Sequence, residues 1–126
     1  PVPPPPPGQT PDQAVRQYYT YQNNNQHILA WNMLTPTFQQ GANQGDFRAF
    51  QRFWSTVWRV DVLSAVTVGQ TATTATVNSS LRYTFMNGAV HSALNEALRI
   101  EVDKKRGYMG EYSAKAEAPA AAARRG

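Results

Sequence analysis

Few side chains in this sequence are suited to proton transfer, metal binding or nucleophilic attack. There are eight Asp and Glu residues, two His and no Cys. A general base needs a carboxylate or imidazole held about 3 Å from the proton it takes, with a tuned pKa. Asp12 and Asp46 stand where helix starts favour negative charge, and Asp103 falls in a turn. Asp61 lies between Val60 and Val62, and Glu101 between Ile100 and Val102, so alternation sends both to the solvent face of a strand. Glu96 and Glu111 are the acids whose face the pattern leaves open. His27 and His91 are far apart in sequence, and a zinc site needs three or four converging ligands. Without cysteine there is neither a disulfide framework nor a thiolate metal site. No Ser/His/Asp arrangement is visible, and the loop from Gly41 to Gly45 follows no strand, so it is not a phosphate loop. No catalytic residue, metal or cofactor is therefore assigned. An enzyme would have to work through Glu96, Glu111 or His91.

Aromatic residues are the other chemically informative set. Tyr18, Trp31, Phe38, Phe50, Phe53, Trp54, Tyr83 and Phe85 suit either a pocket wall or a core. As core, each large apolar side chain contributes roughly 1.5–3 kcal/mol, which a domain this small needs. As a pocket for a small apolar ligand, the set is Tyr18, Trp31, Phe38, Trp54, Tyr83 and Phe85, with His91 at the mouth. Trp58 follows Trp54 by four residues. It is the interface candidate, because Trp is enriched at interface centres.

The elements that must position these groups are readable from local signals. Thr10-Pro11-Asp12-Gln13 is a helix start, with Thr10 as cap, Pro11 in the first turn and Gln13 closing a capping box. Ala14, Val15, Tyr18 and Tyr19 follow helical spacing up to Asn23-Asn24-Asn25, which ends the helix. A short second helix carries Ile28, Trp31, Met33 and Leu34, and Thr35-Pro36 starts a turn carrying Phe38. Asp46 caps a third helix in which Phe47, Phe50, Phe53, Trp54 and Val57 recur at helical spacing. From Val60 the period becomes two. Val60, Val62, Ala65, Val66 and Val68 read as a strand ended by a Gly69-Gln70 turn. Ala72 to Met86 reads as a long strand with Ala75, Val77, Ser79, Leu81, Tyr83 and Phe85 on one face. Asn87-Gly88 predicts a type I′ hairpin. The chain returns through Leu94, Leu98, Ile100 and Val102, turns at 103–107, and ends in a short strand from Tyr108 to Ser113. Helices followed by an antiparallel sheet make an α+β fold.

The 126 residues bound a single domain. Residues 1–9 read as a Pro-rich linker in extended polyproline II. Residues 10–113 read as the domain, and residues 114–126 as a disordered Ala/Arg tail with nothing large to bury. The start at Pro1 reads as that of a fragment or processed product. No run of about 18 apolar residues occurs, so membrane attachment is expected only through a segment outside this chain. The net charge is +4. Much of it sits in the tail and in Lys104-Lys105-Arg106, whereas a nucleic-acid binder carries a basic stripe on a folded face, so no nucleic-acid partner is expected.

Four segments carry a resemblance: AV--YY from Ala14 to Tyr19, AW--LTP-FQ from Ala30 to Gln39, F--FW from Phe50 to Trp54, and V-V from Val60 to Val62. Together they resemble the NTF2-like (cystatin-like, SnoaL-related) domain found at the C-terminal end of bacterial transmembrane Ser/Thr protein kinases. The resemblance implies a cone of three N-terminal helices on a curved antiparallel sheet of about four strands. It also implies a place outside the membrane, on the cell-surface side, with a cytoplasmic location as the alternative, and a homodimer through the sheet face. The function it implies is a non-catalytic accessory domain for ligand sensing or protein interaction. The alternatives are a small isomerase- or dehydratase-like enzyme acting on an apolar substrate, and a structural spacer.

Overall fold

The computed structural model describes residues 10–34, 38–40, 45–71, 74–103 and 107–109, with side chains described as far as residue 100. The Pro-rich linker, the Thr35-Pro36 turn, the 104–106 tip, Glu111 and the Ala/Arg tail lie outside the described residues.

Among the described residues, the helices α1 (Pro11–Asn23), α2 (His27–Trp31) and α3 (Phe47–Trp54) precede the sheet, and residues 38–40 are also helical. The capping box at the start of α1 forms, with the Thr10 N–H donating to Gln13 Oε1 at 2.9 Å. The buried stripe of α1 is Ala14, Val15, Tyr18, Tyr19 and Gln22, the spacing a helix needs to press one face on a core. It stops at the asparagines, where Asn25 takes a left-handed φ of 59°, a conformation Asn tolerates better than most residues. In α2 the inward positions go to His27, Ala30 and Trp31, which leaves Ile28 on the exposed side. Met33 and Leu34 are buried in the turn that follows α2.

Asp46 Oδ1 accepts the Arg48 N–H at 2.9 Å and caps α3 as expected, a contribution of about 1 kcal/mol. Helix α3 ends sooner than its apolar spacing predicts. Ser55 and Thr56 bond back to the carbonyls of Gln51 and Phe53, competing with continuation of the helix. Val57 consequently begins a strand.

The sheet has the order β1-β2-β3-β4. Three long antiparallel strands make up most of it: β1 (Val57–Gln70), β2 (Thr74–Phe85) and β3 (Val90–Asp103). A short β4 (Gly107–Met109) pairs with the end of β3. Strand β2 alternates as predicted, with Ala75, Val77, Ser79, Leu81 and Tyr83 all buried.

Its neighbours depart from the expected pattern because of bulges. In β1, two residues oppose one at Val57/Arg59, Val62/Ser64 and Thr67/Gly69, so Trp58, Leu63 and Val68 are the extra residues. Each bulge advances the parity by one. Val60 and Ala65 remain buried, but Val66 and Val68 turn outward and are exposed. Gly69 and Gln70 still pair with β2, so they belong to the strand rather than to a turn. In β3, Leu94 and Asn95 together oppose Ser80, which puts Leu94 outside and Leu98 and Ile100 inside.

The β2–β3 hairpin is also not type I′. Gly88 has a φ of 90° but Asn87 does not take a positive value. The Gly88 N–H donates to Phe85 O (2.9 Å) and the Phe85 N–H to Ala89 O (2.8 Å). This is the three-residue loop closed by a glycine bulge. Asn87 serves it through its side chain, accepting the Ala89 N–H at 2.9 Å.

Candidate functional site

The sheet presents two faces, and residues directly opposite each other across a ladder share a face. The helix-side face carries the buried residues of β2 with their partners Val60, Val62 and Ala65 on β1 and His91, Ala93, Glu96, Leu98 and Ile100 on β3. Helix α1 lies against it, pinned at one end by Thr67 Oγ1 donating to Asp12 Oδ1 (3.0 Å) and at the other by Asn23 bound to Val60. Burial pushes the Asp12 carboxyl up. Hydrogen bonds from Thr10, Thr67 and its own backbone amide, with the charge of Arg16, outweigh that and hold it below its ordinary value.

Of the seven predicted pocket residues, six fall in one connected set of ring contacts. Trp54 touches Tyr18 (6.2 Å between centroids) and Tyr83 (6.1 Å), and Tyr83 stacks on Phe85 (6.4 Å) and meets His91 (6.4 Å). Trp31 packs on Phe50 at 4.9 Å, and Phe50 on Trp54 at 6.2 Å. Phe38, the seventh, is buried in the same core. Tyr18, Trp54 and Tyr83 are among the largest fully buried side chains. These rings are therefore one another's neighbours, each pair adding about 0.5–1.5 kcal/mol beyond area burial.

Polar groups on this face are few. Ser79 is fully buried and its Oγ has no hydrogen-bond partner, and the same holds for Nε2 of the half-buried His91. Glu96 stands directly opposite Ser79 and is half-buried. It reaches this face only because of the Leu94–Asn95 bulge; with unbroken alternation Asn95 would take the place opposite Ser79. The sequence left the face of Glu96 open, and the bulge settles it. His27 is distant, at the α1–α2 corner, buried with Nδ1 2.6 Å from Gln22 Oε1, and burial lowers its pKa. Among the described residues, no three His, Cys, Asp or Glu side chains gather as a metal site.

On the outer face the arrangement is different. Short polar side chains of β2 (Thr76, Asn78, Ser80, Thr84) and Arg82 form its middle row. Exposed apolar residues flank them: Trp58, Leu63, Val66 and Val68 on β1, and Val90 and Leu94 on β3. Trp58 is 62% exposed and Leu63 50%. Asp61 lies on this face, accepting from Arg59 Nε at 2.6 Å and standing 3.6 Å from an Arg82 nitrogen. The Arg59 hydrogen bond, aided by the charges of both arginines and set against a smaller desolvation, lowers its pKa. A pair this exposed is worth no more than about 1 kcal/mol.

Trp58, the interface candidate of the sequence, is exposed on this face. Leu63, Val66 and Leu94 were missed, because strict alternation assigns Val66 and Leu94 inward and passes over Leu63. A signal did exist: the run Val62-Leu63-Ser64-Ala65-Val66 cannot alternate cleanly.

No helix among the described residues is long and apolar enough to cross a membrane. No family model matches the chain, and no solved structure matches it. The chain is similar to the serine/threonine-protein kinase PknA of Nostoc sp. (strain PCC 7120), with 33% identity over 87 residues. That alignment takes in 67% of this chain and 15% of the kinase, so the chain corresponds to a small part of that protein.

Proposed function

We propose that this chain is a non-catalytic accessory domain of the NTF2-like kind, a cone carried on the extracytoplasmic side by a membrane Ser/Thr kinase, and that it pairs with a second copy of itself through the outer face of its sheet. The observation that carries this reading is the exposed apolar set Leu63, Val66, Val68 and Leu94 along one face. The partial similarity to a kinase supports the attachment. Three strands of 12 to 14 residues span about 600 Å² in projection at ordinary strand spacing and rise. Edge-to-edge pairing through β1 is disfavoured, because three bulges interrupt that strand and Asn23 occupies the edge at Val60. Docking is accordingly face to face. In a kinase, such pairing would shift activity only if the two activity states differ in their affinity for the second copy.

Sedimentation equilibrium of the 126-residue chain tests this. A dimer is expected that Leu63→Ser and Leu94→Ser each weaken by at least about tenfold, with the unfolding midpoint unchanged when it is read at concentrations where the parent is monomeric. A chain that stays monomeric up to millimolar concentration removes the reading.

A second reading, small-molecule sensing or catalysis on the helix side, has one observation in its favour. The unpartnered Ser79 Oγ and His91 Nε2 share a face with Glu96. A thermal-shift screen of small aromatic compounds tests it, with Glu96→Gln as the discriminating variant. A compound whose shift is unchanged in that variant takes Glu96 out of the site.

A further inference from the structure

One end of the outer face has a different character from its middle. Trp58 lies in the first bulge of β1, Val90 lies in the same rung as Arg59 and Thr84, and Met86 opens the β2–β3 turn. All three are exposed, Met86 most of all at 66%. The Met86 N–H donates to Thr56 O at 2.8 Å, which ties the turn to the segment joining α3 to β1. The exposed Arg52, in the last turn of α3, is thereby brought to the same end. Arg59 and Arg82 lie within the next two rungs and share the single carboxylate of Asp61. The patch therefore holds two arginines against one aspartate, with Arg52 four residues before Thr56 in the chain.

We propose that this end of the domain is a contact site for an anionic lipid surface, with Trp58, Met86 and Val90 entering the interfacial layer while Arg52, Arg59 and Arg82 face the headgroups. Trp prefers the membrane–water boundary, where its ring is apolar and its N–H stays wet. A surplus of arginine beside exposed apolar side chains is the pattern of a peripheral, in-plane contact. Charge complementarity selects the occupant. A second copy would set this surplus of positive charge against itself, whereas an anionic bilayer neutralises it. Met86 also stands at a hairpin tip whose residues 86–89 are all exposed, a shape suited to shallow insertion. This site is separate from the Leu63 and Leu94 region used for pairing.

Co-sedimentation of the 126-residue chain with large vesicles, either phosphatidylcholine alone or phosphatidylcholine mixed with phosphatidylglycerol, tests the proposal. Binding is expected to the mixed vesicles, weakening as salt is raised. Tryptophan emission should shift to the blue, because Trp31 and Trp54 are already buried and Trp58 is the indole that changes surroundings. Trp58→Ser and Met86→Ser should each weaken binding by at least about tenfold while keeping the unfolding midpoint. The tail residues Lys115, Arg124 and Arg125 are common to all these chains, so a loss in the variants localises the contact to the patch. Equal binding to both vesicle types, no binding at low salt, or full binding by Trp58→Ser would each overturn it. The Leu63→Ser and Leu94→Ser variants should bind vesicles normally, so failure of the pairing reading and failure of this one are told apart.

Discussion

Asn23 holds the free edge of the sheet with both ends of its carboxamide. Nδ2 donates to Val60 O and Oδ1 accepts the Val60 N–H, each at 2.8 Å. A neighbouring strand would make the same pair of bonds. The last residue of α1 thus replaces a missing strand at one position and fixes where the helix crosses β1. With Asn23→Ala, both backbone groups of Val60 lose their partner in a part-buried place, at about 1–3 kcal/mol each if left unmade. The expected loss is about 2–3 kcal/mol in urea unfolding. Asn23→Asp should lose nearly as much at neutral pH, because a carboxylate has no donor for Val60 O.

The bulge at Leu94–Asn95 sets the register of the rest of β3. Asn95 holds a left-handed φ of 56°, and its N–H donates to Ser80 Oγ at 3.0 Å. Deleting Asn95 removes the extra residue and restores unbroken alternation, so Glu96, Leu98 and Ile100 keep their inward places. The deletion variant is expected to keep a cooperative thermal transition, whereas one residue inserted between Glu96 and Ala97 should abolish it, because Ala97 and Arg99 would then face inward in place of Leu98 and Ile100. Asn95→Gly should instead fold within about 0.5 kcal/mol of the parent, since glycine accepts the same φ without strain.

Acid should weaken the domain in two separate windows. Burial holds the His27 pKa below its ordinary value. Below about pH 6.5 the unfolded chain takes up a proton that the folded chain still refuses. The unfolded state then binds more protons, and stability falls with pH until the lowered folded pKa is reached. Asp12 and Asp61 have lowered pKa values, so their contribution is complete above about pH 4 and is lost as pH falls through the folded values. Urea unfolding at pH 7.5 and pH 5.5 separates the windows, and His27→Gln should flatten the upper one. A slope unchanged in that variant would assign it to another group.

Ser79→Ala is expected to raise the unfolding free energy by about 1 kcal/mol. The hydroxyl is fully buried with no partner, so its removal relieves an unmet desolvation cost. Differential scanning calorimetry measures it. A lower midpoint would mean that the hydroxyl is satisfied after all.

Helix starts were legible in the sequence because capping is local. Thr10 with Gln13, and Asp46 with Arg48, make bonds across two or three residues. Strand β2 was legible because its alternation is unbroken from Ala75 to Phe85, and the candidate aromatics from Tyr18 to His91 could be named because rings at helical or alternating spacing fall on one face, although the fully buried Tyr19 was not among them. The ends of α3 and β1 were not legible, since Val57 satisfies both a helical and an extended pattern.

By itself the sequence determined the α+β order, the helix caps, the alternation of β2 and the absence of thiol chemistry, all of which depend on residue type or on near neighbours. Tertiary structure decided which side of the sheet Leu63, Val66, Leu94 and Glu96 occupy. Each bulge changes parity by one residue, and its position answers to a neighbouring strand and to the helix above it. Both of the surfaces proposed for function follow from those bulges. The physical reason is that a strand's side-chain direction is set by pairing with chain distant in sequence, which a local pattern does not contain.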